Sequence, residues 1–245
     1  MSTVTTASSE HSEASWPRSE RVQQFPAEIR SVSLDLDGTL LDTVPDLAVA
    51  ANTMLGELGL PPRSDSELRS YVGGGIPRFV LWCLPESRRE PDFHAAAIER
   101  FKDHYAASNG RHSVLYPGVI AGLDRLRARK LRLACITNKT AAFSEPLLLM
   151  SGLMPYFEFV LSGDSLPEKK PHPLPLLEAC RRLDSVPAKH MHIGDSRHDA
   201  AAALAAGCIS VTVPYGYNEG QDVREMQTDV IVPSVEAVLE LIQRP

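Results

Sequence analysis

The sequence has no apolar run of the roughly 18 residues that a membrane-spanning helix requires, so we expect none. It also begins without the basic and then apolar pattern of a signal peptide. Basic residues are in the minority, 25 against 31 acidic ones, and the net charge of −6 argues against a nucleic-acid-binding surface. The cysteines stand singly, without a CxxC pair, in apolar surroundings. We expect these four residues to be reduced core residues of a cytoplasmic protein: Cys83, Cys135, Cys180 and Cys208.

Strand and helix patterns alternate from Tyr116 onward, and an apolar run at Val32–Leu36 precedes them. The strand patterns cover residues 131–137, 157–162, 190–194, 208–216 and 229–232. The helix patterns cover residues 140–153, 173–183 and 196–207, and a last helix runs to the C-terminus. This alternation predicts an α/β fold with a doubly wound parallel (Rossmann-like) sheet, in which ligands bind beyond the C-terminal ends of the strands.

The alternation stops between Thr43 and Leu115, where the apolar residues follow helical spacing at 45–60 and 92–108, and a capping box marks Ser64 and Glu67. About 70 residues are too many for a bare loop in a compact domain. We therefore expect an all-helical insertion, residues 44–115, over a core of residues 28–43 and 116–245. Residues 1–27 are rich in serine, threonine and glutamate, and we expect a disordered tail there.

The segment SLDLDGTLLDT (33–43) places Asp35 and Asp37 on one side of the end of the first strand. Two like charges held side by side are unfavourable unless a cation or a proton lies between them. Taken alone, each aspartate, and each polar group named next, is also typical of a turn or a helix cap. We therefore predict a site only because these groups coincide at one edge of the sheet. Polar groups follow three further predicted strands: Thr137 and Asn138, Lys169 and Lys170, and Asp195 with Asp199 one helical turn later.

His190 and His192 share one face of a predicted strand, as a pair of transition-metal ligands does. No third ligand lies in the same stretch, and we therefore do not expect a metal site there.

The segments DLDGTLLDT, TNK, KKPHP and GDSRHD, in this order, resemble the four motifs of the haloacid dehalogenase-like hydrolase superfamily. The resemblance covers about residues 30–242, and the helical insertion resembles the type 1 cap of that superfamily. Within it, LPEKKPHPLPLL and PYGYNEG are most similar to bacterial phosphoglycolate phosphatases. The chain departs from the family at Leu34, where phenylalanine is common. Both residues are apolar, and we expect no consequence.

The resemblance implies that Asp35 is the nucleophile, which forms an aspartyl phosphate, and that Asp37 is the general acid and base. It also implies a Mg²⁺ cofactor, bound by Asp35, by the Leu36–Asp37 peptide carbonyl and by Asp195. In this assignment the metal ligands come from Asp35, Asp37 and Asp195.

The resemblance implies roles for the remaining polar groups as well. Lys170, rather than Lys169, neutralises the phosphoryl oxygens, because it directly precedes Pro171. Thr137 and the Asn138 amide donate hydrogen bonds to the same phosphoryl group. Asp199 orients Lys170 or a metal-bound water.

The segment YVGGGIPR (71–78) in the insertion is glycine-rich and opens a helix. The backbone amides of Gly73, Gly74 and Gly75 could meet a small carboxylate, with Arg78 as its counter-charge. A plain turn that leads into a helix N-terminus is the alternative.

The implied function is that of a Mg²⁺-dependent phosphomonoesterase that hydrolyses 2-phosphoglycolate to glycolate. A phosphatase or phosphomutase for another small phosphate ester, such as a sugar phosphate, shares the same catalytic set and stays open. A haloacid dehalogenase has no use for Asp37, and a phosphonate hydrolase needs a cap lysine, whereas the only one, Lys102, lies on a polar helix face. A non-catalytic phosphate-ester-binding protein is disfavoured, because such a protein is expected to have lost at least one catalytic residue. Four are all present here: Asp35, Asp37, Lys170 and Asp195. We expect a small-molecule substrate, no nucleic-acid or membrane partner, and a monomer or homodimer.

Overall fold

Six parallel strands form the central sheet of the computed structural model, which describes residues 23–243. The strands are β1 (Ser31–Leu34), β4 (Arg132–Ile136), β5 (Phe159–Leu161), β6 (His190–Gly194), β7 (Ile209–Thr212) and β8 (Val230–Ile231). Their order across the sheet is β5-β4-β1-β6-β7-β8, so β1 lies in the middle, next to β4 and β6. The predicted α/β fold with a parallel sheet is confirmed. Among residues 23–243, no helix is long and apolar enough to cross a membrane.

Helices cover both faces of this sheet. They are α5 (Val119–Ala128), α6 (Ala141–Met150), α7 (Leu174–Arg182) and α8 (Arg197–Ala206). One face is apolar: Val32 and Leu34 of β1 and Met191 and Ile193 of β6 pack in one buried cluster with residues of α5 and α6. A second buried cluster, on α7 and α8, lies over the other face.

The four cysteines are buried thiols. Two of them are neighbours, since the Sγ atoms of Cys180 and Cys208 lie 3.8 Å apart.

The C-terminal segment differs from the prediction. Glu236–Leu241 forms a short 3₁₀ helix and not an α-helix that runs to the C-terminus. The chain then becomes extended, because the Ala27 N–H donates to the Leu241 carbonyl at 2.8 Å and the Gln243 N–H donates to the Ala27 carbonyl at 2.9 Å. Ala27, assigned to the tail from the sequence, is therefore part of the packed core and only 8% exposed. Residues 1–22 of the predicted tail lie outside the described residues.

The helical insertion consists of α1 (Val44–Glu57), α2 (Asp65–Arg69), α3 (Ile76–Cys83) and α4 (Pro91–Ser108), and we call it the cap. The chain enters and leaves it through a two-stranded antiparallel ribbon, β2 (Leu41–Asp42) and β3 (Val114–Leu115). The predicted capping box at the start of α2 is confirmed. The cap has its own buried apolar cluster, which two core residues, Phe143 and Tyr217, extend towards the sheet.

Asp46 joins the two ends of the cap. It is fully buried in the first turn of α1. Its carboxylate accepts hydrogen bonds from the N–H groups of Gly110 at 2.8 Å, His112 at 2.7 Å and Ser113 at 3.0 Å, and from the Ser113 hydroxyl. One side chain therefore satisfies the backbone of the segment that returns from α4 to the core.

Replacement of Asp46 by Asn exchanges one acceptor oxygen for an NH₂ group that faces N–H donors. We expect the free energy of unfolding to fall by about 3 kcal/mol, because buried donors lose a charged acceptor. Thermal unfolding measures this, and Asp92→Asn is the control, since Asp92 lies in the first turn of α4 but is exposed. Equal midpoints for the two variants would contradict this role of Asp46.

Candidate active site

The predicted site residues meet at one edge of the sheet because three parallel strands end there together. The register aligns Leu34 of β1 with Cys135 of β4 and with Ile193 of β6. Asp35 follows β1 directly, and Asp195 directly follows the end of β6. Both carboxylates are buried, so the edge that parallel α/β sheets use for ligands is here strongly acidic.

Lys170 supplies the cation nearest to the first of these carboxylates. Its Nζ lies 2.9 Å from Asp35 Oδ1 and 2.6 Å from Asp199 Oδ1, and it donates to the Ile136 carbonyl at 2.6 Å. Burial alone lowers the pKa of Lys170, but the Asp199 and Asp35 carboxylates outweigh it and raise this pKa above its usual value. Lys169 points elsewhere, towards the cap. The ammonium beside Asp35 is therefore charged and fully engaged.

The carboxylates of Asp35, Asp195 and Asp199 have oxygens within 4.8 Å of one another. Burial raises the pKa of Asp35 to about 7. Burial, together with the charges of Asp199 and Asp35, raises the pKa of Asp195 well above its usual range. Such a cluster is unfavourable in its fully ionised form unless a further cation is bound.

Asp199 is already satisfied by protein groups. Its Oδ1 accepts from Lys170 and from His192 Nε2 at 3.1 Å, while its Oδ2 accepts from the Ser196 N–H at 3.1 Å and the Ser196 hydroxyl at 2.6 Å. Burial acts to raise the pKa of Asp199, but the Lys170 ammonium outweighs it and holds this pKa far below the usual range. The carboxylates with room for a metal ion are thus those of Asp35 and Asp195.

Two hydrogen bonds hold the Asp195 carboxylate, and two glycines leave space for it. Its Oδ1 accepts from the Thr39 hydroxyl at 2.9 Å and its Oδ2 from the Tyr217 N–H at 2.7 Å. A Cβ atom on Gly38 or on Gly216 would lie 2.3 Å from Asp195 Oδ2, and Gly38 also has a φ of +86°. The glycine of DLDGT is therefore required by the approach of this carboxylate. Hard carboxylate oxygens in a cradle of this kind fit Mg²⁺.

The predicted carbonyl ligand does not agree with the structure. The carbonyl of the Leu36–Asp37 peptide bond accepts the N–H groups of Leu40 at 3.0 Å and Leu41 at 3.1 Å, so both of its lone pairs are used in a turn. The Asp37 side chain also lies outside the group of three acidic side chains. A ligand from Asp37 would have to be its own main-chain carbonyl.

Lys139 is the functional residue that the sequence prediction missed. Its Nζ lies 3.0 Å from Asp37 Oδ1 and 3.3 Å from Asp37 Oδ2, and it also donates to the hydroxyl of Tyr105 on α4 of the cap. Lys139 is only 7% exposed. The available signal was its place in TNK, directly after two predicted site residues. The structure thus links the second aspartate of the pair to the cap through one buried cation.

Thr137 and Asn138 both line the cavity, and the hydrogen bonds from them to a phosphoryl group stay a prediction. The Thr137 hydroxyl accepts from the Lys139 N–H at 3.2 Å and lines the cavity. The Asn138 side-chain NH₂ donates to the carbonyls of Gly73 at 3.0 Å and Lys170 at 2.9 Å. Both side-chain N–H bonds are used, so this side chain joins the cap to the core, and a hydrogen bond from Asn138 to a phosphoryl group would come from its main-chain N–H.

The glycine-rich loop of the cap rests on the core. Besides the bond from Asn138 to Gly73, the Lys169 ammonium donates to the Gly74 carbonyl at 3.0 Å. The structure does not place Arg78 in the cavity: its guanidinium stacks on the Trp82 ring at 4.4 Å and lies 3.5 Å from a Glu219 oxygen.

A cavity of about 50 Å³ lies between the cap and the strand ends. Its core side is polar and consists of Asp35, Asp37, Thr137, Asn138 and Lys139. Its cap side is mostly apolar and consists of Leu47, Val72, Gly73, Gly75, Ile76, Phe79 and Tyr105. The arrangement therefore admits a small, strongly polar ligand whose reactive end faces Asp35 and Asp37.

Replacement of Lys139 by Met leaves the Asp37 carboxylate without its counter-charge. We expect the free energy of unfolding to fall by about 3 kcal/mol, because one partner of a buried ion pair is removed. Adding Asp37→Asn to this variant should restore most of the loss. Calorimetric unfolding measures both effects.

The control is Lys102→Met, because the Lys102 ammonium lies 2.7 Å from Glu99 on the cap surface. Its loss should cost less than about 1 kcal/mol. If Lys139→Met costs no more than this control, the buried pair does not stabilise the protein.

Known proteins share both the sequence and this architecture. The family model of haloacid dehalogenase-like hydrolases matches residues 32–213. A phosphoglycolate phosphatase of Nitrosospira multiformis is 48% identical over 223 residues, which are 90% of this chain and 98% of that protein. A phosphoglycolate phosphatase of Thiobacillus denitrificans is also 48% identical, over 87% of this chain and 96% of that protein.

A crystal structure of a predicted phosphoglycolate phosphatase from Haemophilus somnus 129pt superposes with a TM-score of 0.84 at 30% identity, and covers 89% of this chain and 99% of that one. Motifs, fold and cap are thus shared over most of the length. The chain belongs to the haloacid dehalogenase-like hydrolases and, within them, to the family of the phosphoglycolate phosphatases that it matches.

Proposed function

We propose that the protein is a Mg²⁺-dependent phosphatase that hydrolyses 2-phosphoglycolate to glycolate and phosphate. One observation carries the chemistry: the Asp35 carboxylate lies 2.9 Å from a buried ammonium and lines a cavity that also contains Asp37. A carboxylate in the wall of a small cavity, with a cation beside it, suits phosphoryl transfer. The substrate is proposed from the names of the similar proteins.

In the first step Asp35 attacks phosphorus, and the bond between phosphorus and the ester oxygen breaks. Carboxylate and phosphate repel each other by about 4 kcal/mol per charge pair at 4 Å and an effective dielectric of 20. Lys170 offsets part of this repulsion, because its ammonium lies beside the attacking oxygen. Asp37, acting as the general acid, gives a proton to the departing glycolate oxygen, and an aspartyl phosphate remains on Asp35.

In the second step water attacks the phosphorus of the aspartyl phosphate. Asp37, now a carboxylate, takes a proton from this water, phosphate leaves, and Asp35 is regenerated. The Lys139 ammonium lies 3.0 Å from the Asp37 carboxylate and holds it in place for this step.

A Mg²⁺ ion held by Asp35 and Asp195, and by the main-chain carbonyl of Asp37, would neutralise charge on the phosphoryl oxygens. The raised pKa values of Asp35 and Asp195 support a cation there, since a bound cation stabilises both ionised carboxylates. Asp199 orients Lys170 instead.

The cavity supports a small substrate. Its cap side is mostly apolar and offers few hydrogen-bond partners to the hydroxyl groups of a sugar. A phosphatase or phosphomutase for another small ester is the second candidate, because it would use the same carboxylates. A cytoplasmic location and a monomer or homodimer remain predictions from the sequence.

Phosphate release from a panel of esters tests the reaction and its substrate together. The panel contains 2-phosphoglycolate, 3-phosphoglycerate, glucose phosphates, pyrophosphate and nucleotides, each with Mg²⁺ and with EDTA. We expect a Mg²⁺-dependent preference for 2-phosphoglycolate and a loss of at least about 1,000-fold in Asp35→Asn, which has no nucleophile. The same variant, quenched in acid with substrate, should carry no hydroxylamine-labile phosphate, unlike the wild-type protein.

Each other outcome has a definite meaning. Turnover of other esters but not of 2-phosphoglycolate would discard the substrate and keep the chemistry. Activity that survives Asp35→Asn would exclude the aspartyl phosphate. Binding of esters without turnover would favour a binding protein.

Ile76→Ala tests whether the cap wall sets the size limit. Ile76 lines the cavity, and its truncation opens space opposite the carboxylates. We expect the ratio of kcat/KM for 3-phosphoglycerate to that for 2-phosphoglycolate to rise about 10-fold. Ile98→Ala is the matched control, because Ile98 packs in the cap cluster but does not line the cavity. An equal ratio in both variants would show that the cap wall does not select by size.

A further inference from the structure

A line of polar side chains runs through the middle of the sheet, on the face opposite the apolar one. Parallel pairing aligns Ser31 with His190 and Ser33 with His192, and alternate residues of a strand share a face. Their exposed fractions are 0 or 1%. We call this set the Ser-His file: Ser31, His190, Ser33 and His192.

The Ser-His file is hydrogen-bonded from end to end. Ser31 Oγ lies 2.7 Å from His190 Nδ1, and His190 Nε2 lies 2.8 Å from Ser33 Oγ. Ser33 Oγ lies 2.8 Å from His192 Nδ1, and His192 Nε2 lies 3.1 Å from Asp199 Oδ1. The same Asp199 oxygen accepts from Lys170. The four ring nitrogens therefore all have partners, which leaves none to bind a metal.

The charge at the Asp199 end decides the direction of every bond. An ionised carboxylate only accepts, so His192 Nε2 must carry the proton and its Nδ1 must accept from the Ser33 hydroxyl. The Ser33 oxygen then accepts from His190 Nε2, and His190 Nδ1 accepts from the Ser31 hydroxyl. All donors point towards Asp199. Burial lowers the pKa of His190 to about 3, which agrees with a neutral ring.

The strand next to Asp199 is shaped for this contact. Gly194 is two residues beyond His192, on the same face, and a Cβ atom there would lie 2.2 Å from Asp199 Cγ. Hence the file ends where the Asp199 carboxylate occupies the space of the next side chain.

Apolar side chains on this face would stabilise the buried parallel sheet without the free-energy cost of burying polar groups. Val32 and Leu34 do so on the opposite face. Four buried polar side chains, each satisfied and all oriented one way, therefore indicate a use beyond packing. That use lies at Lys170, whose position beside Asp35 depends on the orientation of Asp199.

We propose that the Ser-His file is a positioning device, which fixes the Asp199 carboxylate and, through it, the Lys170 ammonium beside Asp35. Its members do not line the cavity, so they act through Asp199. The effect on turnover rests on the proposed phosphatase function, whereas the direction of the hydrogen bonds does not.

Side-chain ¹H–¹⁵N NMR at pH 7 tests the direction first. We expect both histidines to be neutral and protonated at Nε2, with the His192 signals identified by their loss in His192→Gln. An Nδ1-protonated or doubly protonated ring at either position would overturn the proposal, whether or not the protein hydrolyses phosphate esters.

Kinetics on the best ester of the panel test the consequence. Ser33→Ala removes the donor to His192, and we expect kcat to fall about 10- to 100-fold with KM within about 2-fold. Ser144→Ala is the matched control, because it removes another buried hydroxyl, 2.7 Å from Ser162, that is not connected to the file. It should keep kcat within about 2-fold of the wild type.

His192→Gln and His192→Leu form the second comparison. The glutamine amide offers one donor to Asp199 and one acceptor to Ser33, so it should restore most of kcat, whereas leucine should not. If Ser33→Ala matches Ser144→Ala, or glutamine matches leucine at equal thermal stability, the file only supports packing. Absence of turnover in the wild type would instead reject the proposed function and leave the NMR result to decide the direction of the file.

Discussion

The constraint on which the rest of the structure depends is the burial of several like charges at one edge of a sheet. Parallel strand ends bring Asp35 and Asp195 together there, and the first turn of α8 adds Asp199. Lys170 compensates part of this charge, and glycines without Cβ atoms make space for the carboxylates. An apolar opposite face and two layers of helices exclude water, which strengthens every charge interaction inside.

The cap influences the chemistry in two ways. Its apolar wall limits the volume of the cavity. Through Tyr105 it also contacts Lys139, which in turn contacts Asp37. The glycine-rich loop is held by Asn138 and Lys169. A change in cap position therefore reaches the second aspartate without any contact to the substrate.

The ends of the strands could be predicted from the sequence, because buried strands and short turns are local patterns. These patterns place Asp35, Asp195 and Lys170 at one edge of the sheet. The directions of Lys139, Asn138 and Arg78 depend on how the cap packs on the core, which no local pattern encodes. The predicted C-terminal α-helix was wrong for a related reason, since Leu241 and Gln243 bond to Ala27, which is far away in sequence, and the helix ends there as a short 3₁₀ helix. His190 and His192 were noticed as a pair, but the serine between them, Ser33, lies on β1 and is 157 residues from His190 in sequence.

The central place of β1 also sets an order of assembly during synthesis. β1 pairs only with β4 and β6, whose residues begin at Arg132 and His190. The cap helices, whose contacts are mostly local, leave the ribosome between β1 and β4. The acidic end of β1 therefore stays unpaired and hydrated while the cap folds. Its charges become buried only when the last helices pack on the sheet.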